Sequence, residues 1–413
     1  MRPLTRETLG KLSSDSRREA AFEVFERTPA PTPKDEAWRY AELDKDLFAL
    51  ALPDEAGDPL GSSSFLPDLG SMAGVATIID GHVTEISGGE AVAFDTEQAV
   101  FGGGGPDLVS AGIDKFAAAN LSFGSEGVAL RVPRNTAAGP FLIDLQVTQA
   151  GSISFPRISV RLEDNSEAEV LVLLRSPDGL EAALAPQLAA EVGDGARLRL
   201  TTAQVLGDET SSINHHRVSV GRDASARLGE VGLGASFSRL DLGVRLTGDG
   251  SSVNVEGLYF GERSQALDYR MVIDHVGKNT SSDVFLKGAV EDQARSIFTG
   301  LLRIERDATR TSAFETNRNL VLSPGAKAHS VPNLEILCDD VVCGHGSSVG
   351  PLEVEHLYYL MSRGLTRQRA ERILVRGFFA EVIKRLPSLH FGSAVEAEVN
   401  RRFVEAQAEG RIA

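Results

Sequence analysis

Hydrophobic and polar residues alternate along much of the middle of this chain. From about Pro140, apolar side chains recur at every second position in short runs that return every dozen to twenty residues. A period of two is typical of β-strands that bury one face, since successive side chains of a strand point to opposite sides. The pattern therefore predicts many short strands. The clearest runs are Ile158, Val160 and Leu162; Ala196, Leu198 and Leu200; Leu240, Leu242, Val244 and Leu246; and Val253 and Val255.

Two architectures fit this series of strands, a β-sandwich and a β-helix. Polar segments that contain glycine, such as residues 248–252 and 277–280, separate the runs and indicate tight turns. No strict repeat is visible, but the recurrence length and the small polar turn residues suit the coils of a β-helix. The periodicity alone leaves both architectures open.

Helical patterns flank the strands on the N-terminal side. Residues 14–27 form an amphipathic pattern that Ser14 or Asp15 can cap, with Phe22 and Phe25 on one face. Three prolines follow within six residues, and they predict an extended linker because proline cannot continue a helix.

Helical spacing returns after the last strand. A helix over residues 352–363 is expected to end at Gly364, a residue suited to a left-handed cap. Thr366 can cap a second helix, which Pro387 closes. A third helix is predicted over residues 393–408, because its first residues have the spacing of a capping box.

These patterns divide the chain into three regions. We expect a helical and mixed N-terminal region at residues 1–105, a β core at 106–350 and a C-terminal helical domain at 351–413. A chain of 413 residues is long enough to bury a large core in more than one structural unit. The predicted fold class is mainly β.

Charge and composition exclude several classes of function. The formal net charge of −16 repels phosphate backbones and argues against a nucleic-acid partner. No segment approaches the roughly 18 consecutive apolar residues of a membrane span. The N-terminus lacks a signal-peptide pattern, and two cysteines cannot form a disulfide framework. We therefore expect a soluble, cytoplasmic protein without membrane contact.

Candidate chemistry concentrates in residues 334–350, which contain both cysteines. In an extended strand, Cys343 and His345 would share one face and Cys338 would lie on the other. Thiolate and imidazole both bind iron or zinc, although two ligands do not make a metal site. A simpler interpretation is also open, in which Cys343 is a small buried hydrophobe and His345 is exposed without a special task. Cys338 is expected to belong to the core.

Several catalytic motifs are absent from the sequence. The glycine run at residues 102–106 lacks the Lys-Ser/Thr of a phosphate-binding loop, so we interpret it as a loop and expect no ATP hydrolysis by this chain. No Gly-x-Ser-x-Gly or His-Glu-x-x-His motif occurs. The adjacent His215 and His216 would point to opposite sides of a strand, and we interpret them as surface or turn residues.

Three stretches together resemble a known protein family. They are residues 334–350 with Cys343-Gly-His345-Gly, the helical residues 352–383, and residues 36–43 with Trp38-Arg39-Tyr40. They resemble the SufD family, subunits of the SUF iron-sulfur cluster assembly machinery, most closely over about the last 80 residues. The resemblance implies a right-handed parallel β-helix core with N-terminal and C-terminal α-helical regions.

The resemblance also implies a partner and a cofactor. In SufD proteins the Cys-x-His-Gly motif faces SufB, and its histidine is implicated, with a SufB cysteine, in forming the cluster. His345 matches that histidine and is the predicted metal ligand, while Cys343 is a weaker candidate at the same cluster or interface site. We expect the iron-sulfur cluster to be transient and to lie at the interface with SufB. The isolated chain is expected to bind none tightly, and it could form a homodimer.

A second partner follows from the same resemblance, because the C-terminal helices of SufD proteins dock the ATPase SufC. The predicted function is therefore a non-catalytic scaffold subunit. Two alternatives stay open. One is a β-helix carbohydrate-active enzyme, which would need clustered carboxylates or basic residues along a groove. The other is a purely structural β-helix partner without metal contact. The predicted docking residues are the surface arginines Arg363, Arg367 and Arg372, together with Leu357, Tyr358 and Phe378.

Overall fold

The alternating segments form the strands of two sheets, between which the chain passes back and forth. The computed structural model describes residues 1–12, 15–88, 92–96, 108–124 and 127–408; the glycine run at 102–106 lies outside them. The helices are α1 (Arg6–Leu12), α2 (Ser16–Arg27), α3 (Lys115–Phe123), α4 (Val354–Ser362), α5 (Arg367–Arg385) and α6 (Leu389–Ala408). The strands are β1 (Gly74–Ile79), β2 (His82–Gly88), β3 (Ala93–Thr96), β4 (Gly127–Val132), β5 (Ala137–Gln146), β6 (Ile153–Ser154), β7 (Arg157–Leu162), β8 (Glu167–Arg175), β9 (Ala182–Leu184), β10 (Gln187–Val192), β11 (Arg197–Val205), β12 (Thr210–Val220), β13 (Ser225–Gly232), β14 (Phe237–Leu246), β15 (Ser252–Gly261), β16 (Ala266–His275), β17 (Ser281–Val290), β18 (Arg295–Ile304), β19 (Thr311–Val321), β20 (Lys327–Ile336) and β21 (Val341–Gly350).

The strand order identifies a parallel β-helix. The first sheet runs β2-β1-β5-β8-β11-β13-β15-β17-β19-β21, and the second runs β20-β18-β16-β14-β12-β10-β7-β4-β3. From β4 onward, apart from the short strands β6 and β9, strands of the two sheets alternate along the chain. Each pairs in parallel with the strand one coil away, giving about eight turns. A sandwich would need antiparallel sheets. The predicted β-helix is confirmed, and β1, from the region expected to be N-terminal and mixed, already pairs in parallel with β5.

A structural repeat is present, and it lies in the turns. Each turn that leads into β5, β8, β11, β13, β15, β17 or β19 contains a residue with positive φ. Its backbone N–H donates to a carbonyl of the next coil, as from Asn165 to Asp194 at 2.8 Å. Glycine, asparagine and aspartate tolerate this conformation best, which explains the small polar residues between the runs. The positions are Asn135, Asn165, Gly195, Asp223, Gly250, Asn279 and Arg310.

Both outer faces of the β-helix are covered over most of its length. The N-terminal helices and α3 pack on the second sheet through a cluster that includes Phe22, Trp38 and Phe123. Helices α5 and α6 pack on the first sheet, where Phe379 and Phe391 belong to one cluster with strand residues such as Leu258 and Phe285. Burial on both faces is typical of parallel sheets.

The helix boundaries match the sequence predictions with one exception. Asp15 caps α2 and accepts from the Arg17 N–H at 2.8 Å, and Thr366 caps α5 as predicted. The last helix begins at Leu389 and not at Ser393, because the Ser388 side chain accepts from the Phe391 N–H and satisfies the helix start four residues earlier. Among the described residues, no helix is long and apolar enough to cross a membrane.

Candidate functional site

The last coil of the β-helix forms an uncovered end. Strand β20 pairs only with β18, and β21 pairs only with β19, among the strands that the structure describes. Edge strands leave a row of backbone N–H and C=O groups available for pairing with another chain. Large apolar side chains are exposed around this end, and Val342 is 65% exposed. The others are Phe314, Ile336, Leu337 and Val349.

The predicted site residues lie on this end strand. Cys343 and His345 are two residues apart on β21 and therefore share a face. Cys343 is half-buried and packs against the core inside the β-helix, whereas the His345 side chain is exposed at the rim. Cys338 precedes the strand and is buried in the same core, as expected for a structural cysteine.

A carboxyl group that the sequence reasoning missed lies one coil beneath His345. Glu315 is aligned with His345 in the β19–β21 ladder and is only 2% exposed. Neither carboxylate oxygen has a hydrogen-bond partner among the described residues. The group lies against Gly300 of the opposite sheet, where a Cβ atom would collide with it. Burial raises the pKa of the Glu315 carboxyl to about 8.

Three other polar side chains inside the β-helix are hydrogen-bonded to one another. The Tyr259 hydroxyl donates to Asn319 Oδ1 at 2.6 Å, and Asn319 Nδ2 donates to Asn317 Oδ1 at 2.5 Å. Asn317 and Asn319 follow Glu315 on the inward face of the same strand. Glu315 therefore differs from its neighbours in having no partner among the described residues.

The two adjacent histidines are not where we expected them. His215 and His216 are both buried, and the expectation of surface or turn positions is wrong. They do point to opposite sides of β12: His215 Nε2 lies 3.0 Å from Asp114 Oδ2 at the start of α3, and His216 Nδ1 lies 3.0 Å from Glu230 Oε1. The cause is that β12 is a central strand, covered by a helix from a distant part of the chain.

The Trp-Arg-Tyr element contacts both the β-helix and its last coil. The Arg239 guanidinium lies 4.1 Å from the centre of the Trp38 ring and donates to the Ala37 carbonyl at 2.8 Å. Further along, Tyr40 stacks on His329 of β20, with ring centroids 5.4 Å apart. These contacts connect the N-terminal region to the same end that bears His345.

The predicted docking residues on α4 and α5 have different environments. Tyr358 is 69% exposed, and Arg363 and Arg367 are exposed as well. Leu357 is buried, and Phe378 packs against the first sheet, where the Lys287 ammonium lies 4.5 Å from its ring centre. Arg372 is half-buried, so its side chain is less exposed than we expected.

The exposed face of α4 is nevertheless apolar over a continuous stretch. Val354, Tyr358, Tyr359 and Met361 are all exposed, and Ile373 of α5 is exposed too. Exposed apolar groups that cluster in this way are typical of protein interaction sites.

The described residues of this chain cannot complete the coordination of a metal ion by themselves. In the part of the chain that the structure describes, no group of three or more His, Cys, Asp or Glu side chains is arranged to hold a metal. Structural metal sites commonly use about four protein ligands. A metal or cluster held tightly at His345 would therefore need further ligands from a second molecule.

Comparison with known proteins gives a consistent result. Residues 145–378 match the family model described as "SUF system FeS cluster assembly, SufBD core domain". The chain is similar to an iron-sulfur cluster assembly SufBD family protein of Mycobacterium tuberculosis, with 35% identity over 68% of this chain and 73% of that protein. It is also similar to iron-sulfur cluster assembly protein SufD of Escherichia coli, with 26% identity over 91% of this chain and 90% of that protein.

Proposed function

The chain belongs to the SufBD family of iron-sulfur cluster assembly proteins, and we propose that it is the SufD-type scaffold subunit of a SUF complex. In this proposal it pairs with SufB through the last coil and binds the SufC ATPase through α4 and α5. It catalyses no reaction by itself and contributes a ligand to a cluster that forms between the subunits. The cluster is cargo that leaves for an apoprotein.

The observation that carries the proposal is the position of His345. The side chain is exposed on the outermost strand of the β-helix. It lies beside backbone groups that pair with no other described strand and beside exposed apolar side chains. A second subunit that covers this end would bring its own side chains next to the imidazole. Because the described residues supply too few ligands to hold a metal alone, a site divided between two subunits accounts for the arrangement.

The proposed role of Cys343 is secondary. Its side chain is half-buried against the core, so it is less accessible than His345 to a group on a partner. We expect Cys343 to fix the position of the end strand and to contribute less to cluster binding.

The exposed apolar face of α4 supports the second contact. Helix α5 is anchored on the first sheet through its buried residues Val375, Phe379 and Val382. A movement of a partner bound to α4 and α5 would therefore act directly on the first sheet, whose last strand carries His345. In this way, a movement of an ATPase bound to α4 and α5 would be transmitted to the strand that carries His345.

Co-purification tests the proposal. The tagged chain is co-expressed with SufB and SufC of the same organism and purified anaerobically, and iron and labile sulfide are measured on the complex. We expect His345→Ala to leave the complex intact and to lower its cluster content, because the ring nitrogens act as ligands. Cys343→Ser should have a smaller effect.

Ser347→Ala is the matched control, since Ser347 is exposed on the same face of the same strand. It should behave as the wild type. Equal cluster content in the wild type and His345→Ala would end the ligand role, and failure to recover SufB would end the pairing.

A further inference from the structure

In the first sheet, one column of inward-facing residues changes from aliphatic to polar at the last two strands, β19 and β21. Five consecutive strands of the ladder align Leu228, Val255, Val284, Glu315 and His345 in one column. The first three are aliphatic and fully buried, as the interior of a β-helix requires. A carboxyl group enters the column only at the strand directly beneath the imidazole.

The Glu315 carboxyl group is costly to the fold as it stands. A buried polar group without a hydrogen bond costs free energy, and buried carboxyl groups are normally paired or bind a metal. Neither oxygen of Glu315 has a partner in the described part of the chain, although three polar neighbours inside the β-helix are mutually hydrogen-bonded. Gly300 provides the space that the group occupies. A fourth aliphatic side chain in the column would avoid this cost.

We propose that Glu315 is a second metal ligand of this chain, which binds a ferrous ion together with His345 at the end of the β-helix. Adjacent parallel strands are about 4.8 Å apart, so the two side chains start from neighbouring positions on one face. Carboxylate and imidazole are both ligands that iron(II) accepts. This inference rests on the proposed function and adds the class of ion and the second ligand to it.

The arrangement makes this chain a half-site with one oxygen and one nitrogen donor. The remaining coordination positions face the uncovered end, where the partner subunit is placed by the proposed function. An iron ion would be the partner that neither carboxylate oxygen has among the described residues. The buried carboxylate distinguishes this site from a lone surface histidine that binds a metal ion nonspecifically.

Cobalt(II) titration of the full-length chain tests the inference, with Co²⁺ as an air-stable probe for Fe²⁺ and absorption by its d–d bands as the signal. At about pH 8, we expect saturable binding by the wild type. Glu315→Gln and His345→Ala should each raise the Kd at least about 10-fold. The double variant should be little weaker than either single one, because the two residues serve one ion.

Glu256→Gln is the matched control, since Glu256 is a buried glutamate near Arg227 and Arg385 on the outer face of the first sheet. It should bind Co²⁺ as the wild type does. If Glu315→Gln fails to fold, Glu315→Asp takes its place, because it keeps the charge but withdraws the oxygens by one methylene.

The outcomes separate the two proposals. Weaker binding by His345→Ala with unchanged binding by Glu315→Gln would overturn the role of Glu315 and leave His345 as a ligand. Unchanged binding by His345→Ala would count against the proposed cluster role itself. Absence of saturable binding by the wild type would overturn the half-site of this chain.

Discussion

Replacing Glu315 by glutamine should change how the stability of the protein depends on pH. Burial raises the pKa of the Glu315 carboxyl from its ordinary value of 4.5 to about 8 in the folded chain. Between these values the folded chain keeps a proton that the unfolded chain has lost. Stability therefore falls as the pH rises from about 4.5 to 8, and the full contribution is present only below that window.

The size of the effect follows from the shift. Each pKa unit corresponds to about 1.4 kcal/mol, so the free energy of unfolding should lose about 5 kcal/mol across the window from this residue alone. Glutamine has nearly the shape of the protonated acid but cannot ionise. The variant Glu315→Gln should resemble the wild type near pH 5 and should be more stable than it by several kcal/mol above pH 8.

Urea denaturation followed by circular dichroism at a series of pH values measures this difference. Glu23→Gln on the exposed face of α2 is the control and should run parallel to the wild type. Wild-type and Glu315→Gln curves that are parallel from about pH 5 to 8.5 would refute the reasoning, since they would mean that Glu315 is hydrated or paired in the folded chain.

Three other variants, one of them with two substitutions, test the account. Arg239→Met removes the guanidinium that pairs with the buried Asp268, and we expect a loss of about 3–5 kcal/mol of stability in urea denaturation; a loss below about 1 kcal/mol would contradict the role given to the pair. Burial lowers the pKa of His275 from 6.5 to about 4, so acidification through that window should cost about 3 kcal/mol as the unfolded chain takes up the proton. His275→Asn should abolish that acid sensitivity, and an unchanged acid profile would argue against it. Val354→Ser with Tyr358→Ser should reduce SufC recovery. Lys34→Ser, exposed in the N-terminal region, should not reduce it, and full recovery with the double variant would exclude the α4 surface.

The strands were predictable from the sequence, but their arrangement was not. Alternation such as Leu240, Leu242, Val244 and Leu246 reports only that one face of a strand is buried. It carries no information on which strand lies alongside, so the alternation is compatible with both a sandwich and a β-helix, and only the family resemblance favours one of them. The repeat that would have decided the question lies at single turn residues about 30 positions apart, where asparagine, aspartate, glycine and once arginine all occur.

The candidate site was predictable in part for the same reason. Cys343 and His345 are close in sequence, so the period of a strand was enough to place them on one face. Glu315 is one coil away and becomes their neighbour only through the ladder. The available signal was that inward positions of its strand turn from apolar to polar at Glu315, Asn317 and Asn319.

The buried histidines show a second limit. His215 and His216 stand in a strand with many polar residues, which suggested exposure. Their burial comes from Asp114 and α3, about 100 residues earlier in the chain, and from Glu230 on the opposite sheet. The local sequence pattern of a strand cannot show that a segment so distant in the chain packs on it.

The central claim is that the His345 imidazole binds the cluster. Pulsed electron paramagnetic resonance on the anaerobically purified and reduced complex, with histidine labelled by ¹⁵N in this chain only, measures that contact directly. The account predicts a ¹⁵N hyperfine coupling of a directly bound nitrogen in the wild type and its loss in His345→Ala. A cluster signal without ¹⁵N coupling in the wild type, or a coupling that persists in His345→Ala, would contradict it.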